Sequence, residues 1–300
     1  QKLRLPPMNF SSKTDIGKRC CSLDGDVDRV VYHYFDTTGR WNLIDGDKMA
    51  ALVALFLQDE LIASGLFRRL TFSVVQTAYA NGASTSFLSE NEIKVVRSAT
   101  GVKFLHHEAL KYDIGVYFEA NGHGTVLFRD SAVQTLLSRK HELVSVEEPV
   151  VKPLSPNRIP FFSSNRARRY SEEERLASAA QYARKRKILA VDRLLQIRQL
   201  VNQAVGDALS DILLAEAILH IKKWNMDDWN CLYTDLPSRQ AKLRVKDRSV
   251  VKCTADERKA LTPIGLQARL EKESFLLKPP GRCFVRPSGT EDYVRIYAEA

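Results

Sequence analysis

A layered α/β domain, followed by a smaller α+β module and preceded by the closing part of another α/β domain, is the fold class the sequence predicts. Three observations predict it. Short apolar runs alternate with longer helix-like segments between residues 45 and 130, the alternation expected of βαβ units that bury a sheet beneath helices. Two long helix-like segments follow, over residues 172–205 and 206–222. Beyond residue 226 the apolar runs are shorter and surround a single helix-like stretch.

Taken in order, strand-like residues flank an acidic loop at 24–29, and a helix is predicted over 47–62. A strand at 72–75, a helix over 84–91, a strand at 95–96, a helix over 101–112 and strands at 114–118 and 126–128 complete the alternation. The stretch from about 133 to 175 carries prolines, serines and mixed charge without a sustained apolar period. It is predicted to be a disordered surface insertion. After the two long helices, strands are predicted at 241–245, 249–253, 283–285 and 293–297, with a helix over 265–273. No internal repeat is evident. The chain divides into the tail of one domain, one complete domain and most of a third.

The chain has 300 residues, enough for about two domains, and its 44% hydrophobic content supports a sizeable core. No apolar run approaches a membrane span, and the first residues lack the apolar region of a secretory signal. No membrane partner is expected. Five cysteines without a Cys-x-x-Cys pair argue against a disulfide framework and a zinc site, so reduced thiols and a cytoplasmic location are expected. The net charge of +9 raises the question of nucleic acid. The obvious basic clusters are Arg184-Lys-Arg-Lys187 and Arg166-Ala-Arg-Arg169, but no aromatic residues are interleaved with Arg184 to Lys187 and no recognised binding motif appears. Arg184 to Lys187 reads as a solvated helix face, and no nucleic-acid partner is expected.

Three segments carry chemistry. In Ser22-Leu-Asp-Gly-Asp-Val-Asp-Arg29, Asp24, Asp26 and Asp28 alternate on what Gly25 allows to be a tight turn. Their oxygens can converge on a hard divalent cation that keeps several waters, such as magnesium. A helix-loop-helix calcium site fails here, because its sixth and twelfth positions hold Arg29 and Phe35 in place of glycine and glutamate. An acidic solvated turn is the plainer alternative.

Arg286-Pro-Ser-Gly-Thr290 is read as a loop joining two strands. Arg286 and Arg295 supply fork-shaped donors, while Ser288, Gly289 and Thr290 offer hydroxyls and N–H groups for an anion. Pro287 can only shape the turn. An ordinary Pro-Ser-Gly turn is the alternative. In Tyr117-Phe-Glu-Ala-Asn-Gly-His-Gly-Thr125 a strand runs into a loop bearing Glu119, Ala120, Asn121 and His123. A carboxylate and an amide there can grip sugar hydroxyls, the alternative being a hairpin turn with a surface histidine.

Together, and in this order, the three segments resemble the metal, sugar-binding and phosphate-binding loops of the α-D-phosphohexomutases. Asn121, where glucose- and mannose-specific members usually carry serine, makes the sequence similar to the phosphoacetylglucosamine mutase branch. Leu43-Ile-Asp-Gly-Asp-Lys48, Val75-Gln-Thr-Ala-Tyr-Ala-Asn-Gly82, Thr100-Gly-Val-Lys103 with His106-His107, and Tyr233-Thr-Asp-Leu-Pro-Ser-Arg239 agree. The resemblance implies an isomerase that interconverts N-acetylglucosamine 6-phosphate and N-acetylglucosamine 1-phosphate, on the route to UDP-N-acetylglucosamine, through a bisphosphate intermediate and an enzyme phosphoserine. It also implies Mg2+ on Asp24, Asp26 and Asp28, a second positive group at Arg29, sugar contacts from Glu119 to Asn121, and a clamp on the idle phosphate from Arg286 to Thr290 with Arg295. Lys103 and His123 are further substrate-binding candidates. Phosphoryl transfer is catalysed mostly by such positioning and charge neutralisation.

By the same resemblance, residues 1–44 close a second domain, 45–225 form a sugar-binding third domain, and 226–300 form an incomplete phosphate-binding fourth. Two departures stand out. The family's Thr-Ala-Ser-His-Asn-Pro serine loop is absent from these residues, and Val27 replaces a usual alanine. A fragment of a mutase is therefore expected. The alternatives are a catalytically inactive sugar-phosphate-binding or regulatory derivative, or a phosphoglucomutase or phosphomannomutase.

Overall fold

The computed structural model describes residues 5–145, 172–277 and 281–300. Three antiparallel strands open it, β1 (Cys20–Leu23), β2 (Val30–Phe35) and β3 (Trp41–Ile44), in the order β1-β2-β3. There follow α1 (Gly46–Ser64), β4 (Phe72–Gln76), α2 (Gly82–Glu90), β5 (Val95–Arg97), α3 (Val102–Ala109), β6 (Ile114–Phe118), β7 (Gly124–Phe128) and α4 (Asp130–Ser145). Next come α5 (Glu172–Leu200), α6 (Ala208–Lys222) and α7 (Met226–Asn230). The last part holds β8 (Ser238–Arg244), β9 (Lys252–Cys253), β10 (Ala260–Thr262), α8 (Leu266–Phe275), β11 (Arg282–Pro287) and β12 (Tyr293–Glu299). The layered α/β class is what the structure shows.

The central sheet has the order β5-β4-β6-β7, with the first three strands parallel and β7 antiparallel. Its middle strands β4 and β6 are buried along their whole length, which is why they read as mostly apolar runs. Helix α1 covers one face and α3 the other. Asp45 caps α1 by accepting the N–H groups of Asp47 at 3.1 Å and Lys48 at 3.3 Å. The helix is apolar on nearly every side because it sits between the sheet and helices α5, α6 and α7.

The opening sheet is part of this core. Tyr32 packs edge-on against Trp229 at 5.1 Å, and Tyr34 donates to Asp227 at 2.6 Å. At the other end, β11, β12 and β8 form an antiparallel sheet in the order β11-β12-β8. Phe284 and Tyr297 stack at 5.2 Å and clasp Tyr79 and Ala78 of the loop between β4 and α2. Asn81 in the same loop exchanges hydrogen bonds with the backbone of Leu236, at 3.0 and 3.1 Å.

Three sequence expectations need correction. Residues 133–145 are the body of α4, and 172–175 begin α5, so the ends of the expected disordered insertion are helical. Leu136 and Leu143 bury α4 against α5, a stripe too sparse to stand out among its polar residues. Residues 146–171, with Arg166 to Arg169, lie outside the described residues. The strand expected over 249–253 is a 3-10 turn, Arg248–Val250, followed by the two-residue β9. Arg286 and Pro287 belong to β11 itself, so the connecting loop is 288–292. In the basic cluster on α5, Arg184 donates to the carbonyls of Leu143 and Val144 at 2.6 and 3.0 Å, satisfying the C-terminal end of α4. Among the described residues, no helix is long and apolar enough to cross a membrane.

Candidate functional site

Residues 24–29 link β1 to β2. Asp24 accepts the N–H groups of Asp28 and Arg29, each at 3.2 Å, which folds the loop back on itself. Val27 takes a positive φ of 62°, the region β-branched residues avoid. In consequence one oxygen from each of Asp24, Asp26 and Asp28 lies within 4.8 Å of the others. Burial opposes ionisation of Asp24, but the N–H groups of Arg29 and Asp28 outweigh it and hold the carboxyl below its ordinary range. The Arg29 Nε sits 3.5 Å from both Asp24 and Asp28.

The second loop, 119–123, turns between β6 and β7 and is a hairpin turn by geometry. Glu119 and Gly122 close it through backbone bonds at 2.8 Å, and Asn121 accepts the His123 N–H at 3.0 Å while its amide donates to Glu119 at 3.3 Å. The turn is docked against the first loop by backbone. The Val30 N–H donates to Gly122, the Gly46 N–H donates to Ala120, both at 3.3 Å, and Arg29 and His123 form a β-bridge. A Cβ on Gly122, at φ +90°, would lie 1.9 Å from the Val30 carbonyl oxygen. One on Gly46 would lie 1.8 Å from that of Glu119. Only glycine permits this approach. It leaves the His123 Nδ1 3.4 Å from Asp28.

Lys103 stands in the first turn of α3. With Asp26, Asp28, His106, His107 and His123 it lines a cavity of about 650 Å3 that reaches Gly206 and Asp207 at the start of α6. His106 contacts the buried Tyr117 hydroxyl at 3.0 Å. Burial holds the His106 imidazole below its ordinary pKa, with His107 adding to the effect.

The third group lies on β11 and β12. Arg286 and Arg295 are direct partners across the two strands, a placement that like charges disfavour unless an anion or a carboxylate lies between them. Ser288 is fixed by its N–H bond to Tyr293 at 2.8 Å. Its hydroxyl and the Arg295 Nε are buried with no hydrogen-bond partner among the described residues, a costly state that an anion placed there would relieve. Gly289 and Thr290 are exposed at the tip.

The structure thus brings the acidic loop, Glu119 to His123 and Lys103 into one region, and connects the arginine pair to it through residues the sequence reading did not single out. Arg286 donates to the Tyr79 hydroxyl at 3.1 Å and to Glu257 at 3.3 Å. Glu257 in turn accepts from the Thr100 N–H at 3.1 Å, next to Gly101, whose N–H donates to Glu119 at 3.3 Å. Tyr79 and Thr100 lay inside motifs already noted. Glu257 carried no signal, since its partners are 29 and 157 residues away.

Comparison with known proteins identifies the family. The profile of phosphoacetylglucosamine mutase AMG1, domain III, matches residues 45–155 and 162–224. That of the phosphoglucomutase/phosphomannomutase C-terminal domain matches 241–300. The chain is 46% identical to phosphoacetylglucosamine mutase of Oryza sativa subsp. japonica over 100% of its own length and 48% of that protein. It is 43% identical to that of Homo sapiens over 98% of this chain and 46% of the relative. The crystal structure of Aspergillus fumigatus N-acetylphosphoglucosamine mutase, in complex with GlcNAc-6P and magnesium, superposes with a TM-score of 0.78 at 40% identity, covering 100% of this chain and 51% of that one. The chain spans about half the length of the relatives it matches. With identity at this level across its whole length, the chain belongs to the phosphoacetylglucosamine mutase family.

Proposed function

We propose that this chain supplies the metal, sugar and phosphate subsites of a phosphoacetylglucosamine mutase, an isomerase interconverting N-acetylglucosamine 6-phosphate and 1-phosphate through the sugar bisphosphate. The observation that carries the reading is the backbone docking of the acidic loop onto the Glu119–His123 turn, which sets a cation site beside a sugar site. The domain division is 1–44, 45–225 and 226–300, carrying the acidic loop, the sugar turn and the arginine pair respectively.

Asp24, Asp26 and Asp28 fit Mg2+. The donors are all carboxylate oxygens drawn close together, and the buried Asp28 Oδ1 has no hydrogen bond among the described residues, as suits a hard cation. When bound, the ion neutralises charge on a transferring phosphoryl group. Arg29 orients two of the three carboxylates and adds a positive charge at the reacting end. Glu119 and Asn121 exchange hydrogen bonds with the sugar hydroxyls, with Ala120 shaping the turn between them, and Lys103 and His123 contact substrate from the cavity they line beside Asp26 and Asp28. Arg286, Ser288, Gly289, Thr290 and Arg295 clamp the phosphate that does not react, and Pro287 fixes the strand end. The A. fumigatus structure to which the chain is similar holds GlcNAc-6P and magnesium, the two ligands this reading requires. Five free cysteines, none paired, suit a reducing compartment such as the cytoplasm.

The test joins this chain to the upstream half of the O. sativa relative and follows conversion of N-acetylglucosamine 6-phosphate with Mg2+ present. The expected result is turnover that Arg295→Ala weakens chiefly through KM. Binding of the sugar phosphate without any turnover would favour an inactive derivative. Equal turnover of glucose 6-phosphate would remove the N-acetylglucosamine preference.

A further inference from the structure

We propose that Glu257 is a positioning residue that couples the phosphate clamp to the sugar turn, so that the two subsites recognise one sugar phosphate together. The inference rests on the phosphate-clamp reading of Arg286 and Arg295 and goes beyond it to a residue outside every motif.

Glu257 lies on the turn between β9 and β10, in the C-terminal sheet module, with φ at +60°. A glutamate in this conformation is held there at a cost that glycine would avoid. The turn is closed by its own N–H bond to Thr254 at 2.9 Å. Its carboxylate is divided between two parts of the molecule. Oε1 accepts from Arg286 within the module, at 3.3 Å. Oε2 accepts the backbone N–H of Thr100 at 3.1 Å and also its hydroxyl, both in the loop that leads into α3 of the central domain.

The chain of contacts continues on both sides. Arg286 is fixed a second time by the Tyr79 hydroxyl at 3.1 Å, with its guanidinium over the Tyr79 ring at 5.3 Å. Gly101, next to Thr100, donates to Glu119 at 3.3 Å. One carboxylate therefore sets the spacing between the arginine that faces the phosphate and the glutamate that faces the sugar.

A carboxylate beside a clamp arginine weakens its field, so for an isolated anion Glu257 is unhelpful. Its value appears only for a ligand that spans both subsites. Holding Arg286 and Glu119 at a fixed distance then removes the ordering cost that a loose module would impose on binding.

The experiment compares calorimetric affinities of the 300-residue chain for two probes, N-acetylglucosamine 6-phosphate and inorganic phosphate. Glu257→Gln and Thr100→Val are compared with the parent, and Arg295→Ala serves as the control for the clamp. The expected result is that both test variants weaken sugar-phosphate binding about ten-fold, while phosphate binding is unchanged or tighter. The double variant should lose less than the sum of the two single ones, since Glu257→Gln and Thr100→Val weaken the same link. Equal weakening of both probes, or no change in either, overturns the coupling role. A parent that binds neither probe, or an Arg295→Ala variant that binds both as the parent does, overturns the clamp reading and the coupling with it.

Discussion

The acidic loop with its docked turn, on one side, and the arginine pair, on the other, are held in opposite ways. The acidic loop and the Glu119–His123 turn are joined backbone to backbone, through N–H bonds from Val30 and Gly46 and glycines with no room for a methyl group. The arginine pair is joined to the same region by side chains alone, through Glu257, Tyr79, Asn81, Arg282 and Glu299. Backbone contacts are set once the strands pair. Side-chain contacts can be broken and remade at modest cost. The acidic loop and the Glu119–His123 turn thus form a fixed reference, and the placement of the arginine pair against them depends on side-chain ties, Glu257 among them.

The sharpest way to break this contrast is to place the same methyl group in both loops. Gly122→Ala puts a Cβ 1.9 Å from the Val30 carbonyl oxygen at a φ of +90°, so the turn has to leave β2. A loss of about 4 kcal/mol or more is expected, read as a large fall in the urea midpoint or as failure to fold. Gly289→Ala, at the exposed tip of the phosphate loop, meets no atom within 4 Å and should stay within about 0.5 kcal/mol of the parent. Similar losses at both positions would mean that the loops are equally rigid.

A smaller effect is expected where the module is tied by charge. Glu299 accepts the Gly82 N–H at 3.1 Å, the Tyr297 hydroxyl at 2.7 Å and the Arg282 guanidinium, which also donates to the carbonyls of Ala78 and Ala80. Burial works against the Glu299 carboxylate, yet Arg282 and Tyr297 prevail and keep its pKa below the ordinary glutamate value. A carboxyl depressed in the folded state contributes stability above its unfolded pKa and loses it as pH falls through the folded one. Glu299→Gln should therefore cost about 3 kcal/mol at neutral pH, and the gap should close as the pH drops below the ordinary glutamate range. Denaturant unfolding followed across pH 3–8 measures it, with hydrogen exchange of the β12 amides reporting whether the loss is local. A constant gap at every pH would mean that packing, not charge, holds the module.

The difference between the two halves also explains what could be read from the sequence. The strands β4 and β6, the helix α1 and all three chemical loops are contiguous, so their residues announced themselves through apolar runs, alternate carboxylates and the Arg-Pro-Ser-Gly-Thr string. Contacts that depend on distant pairing were silent. Glu257 reaches Thr100 across 157 residues and Arg286 reaches Tyr79 across 207, and nothing in a turn such as Asp256-Glu257-Arg258 marks it as their partner. Helix α4 was missed for a local reason: its burial rests on Ala132, Leu136 and Leu143 among charged neighbours, too few apolar positions for a helical period to show. Val30, Tyr32, Tyr34 and Ile44 of the opening sheet join the main core, with Tyr32 and Tyr34 beside α6 and α7, which a strand reading alone does not reveal.

The smallest effect separates the halves by raising stability instead of lowering it. Glu92, exposed just beyond the end of α2, holds φ at +58°, a left-handed conformation that costs an ordinary residue about 1–2 kcal/mol. Its N–H caps Ser89 at 3.0 Å, a bond that glycine keeps. Glu92→Gly removes the strain and, after the added chain entropy of glycine, should gain roughly 0.5 kcal/mol. Because the residue lies in the central domain, far in sequence from the C-terminal module, scanning calorimetry should show the gain in the transition that also responds to Gly122→Ala. The transition weakened by Glu299→Gln should stay where it was. If one transition responds to all three substitutions, the side-chain ties are as strong as the backbone ones, and the clamp is as fixed as the loops it faces.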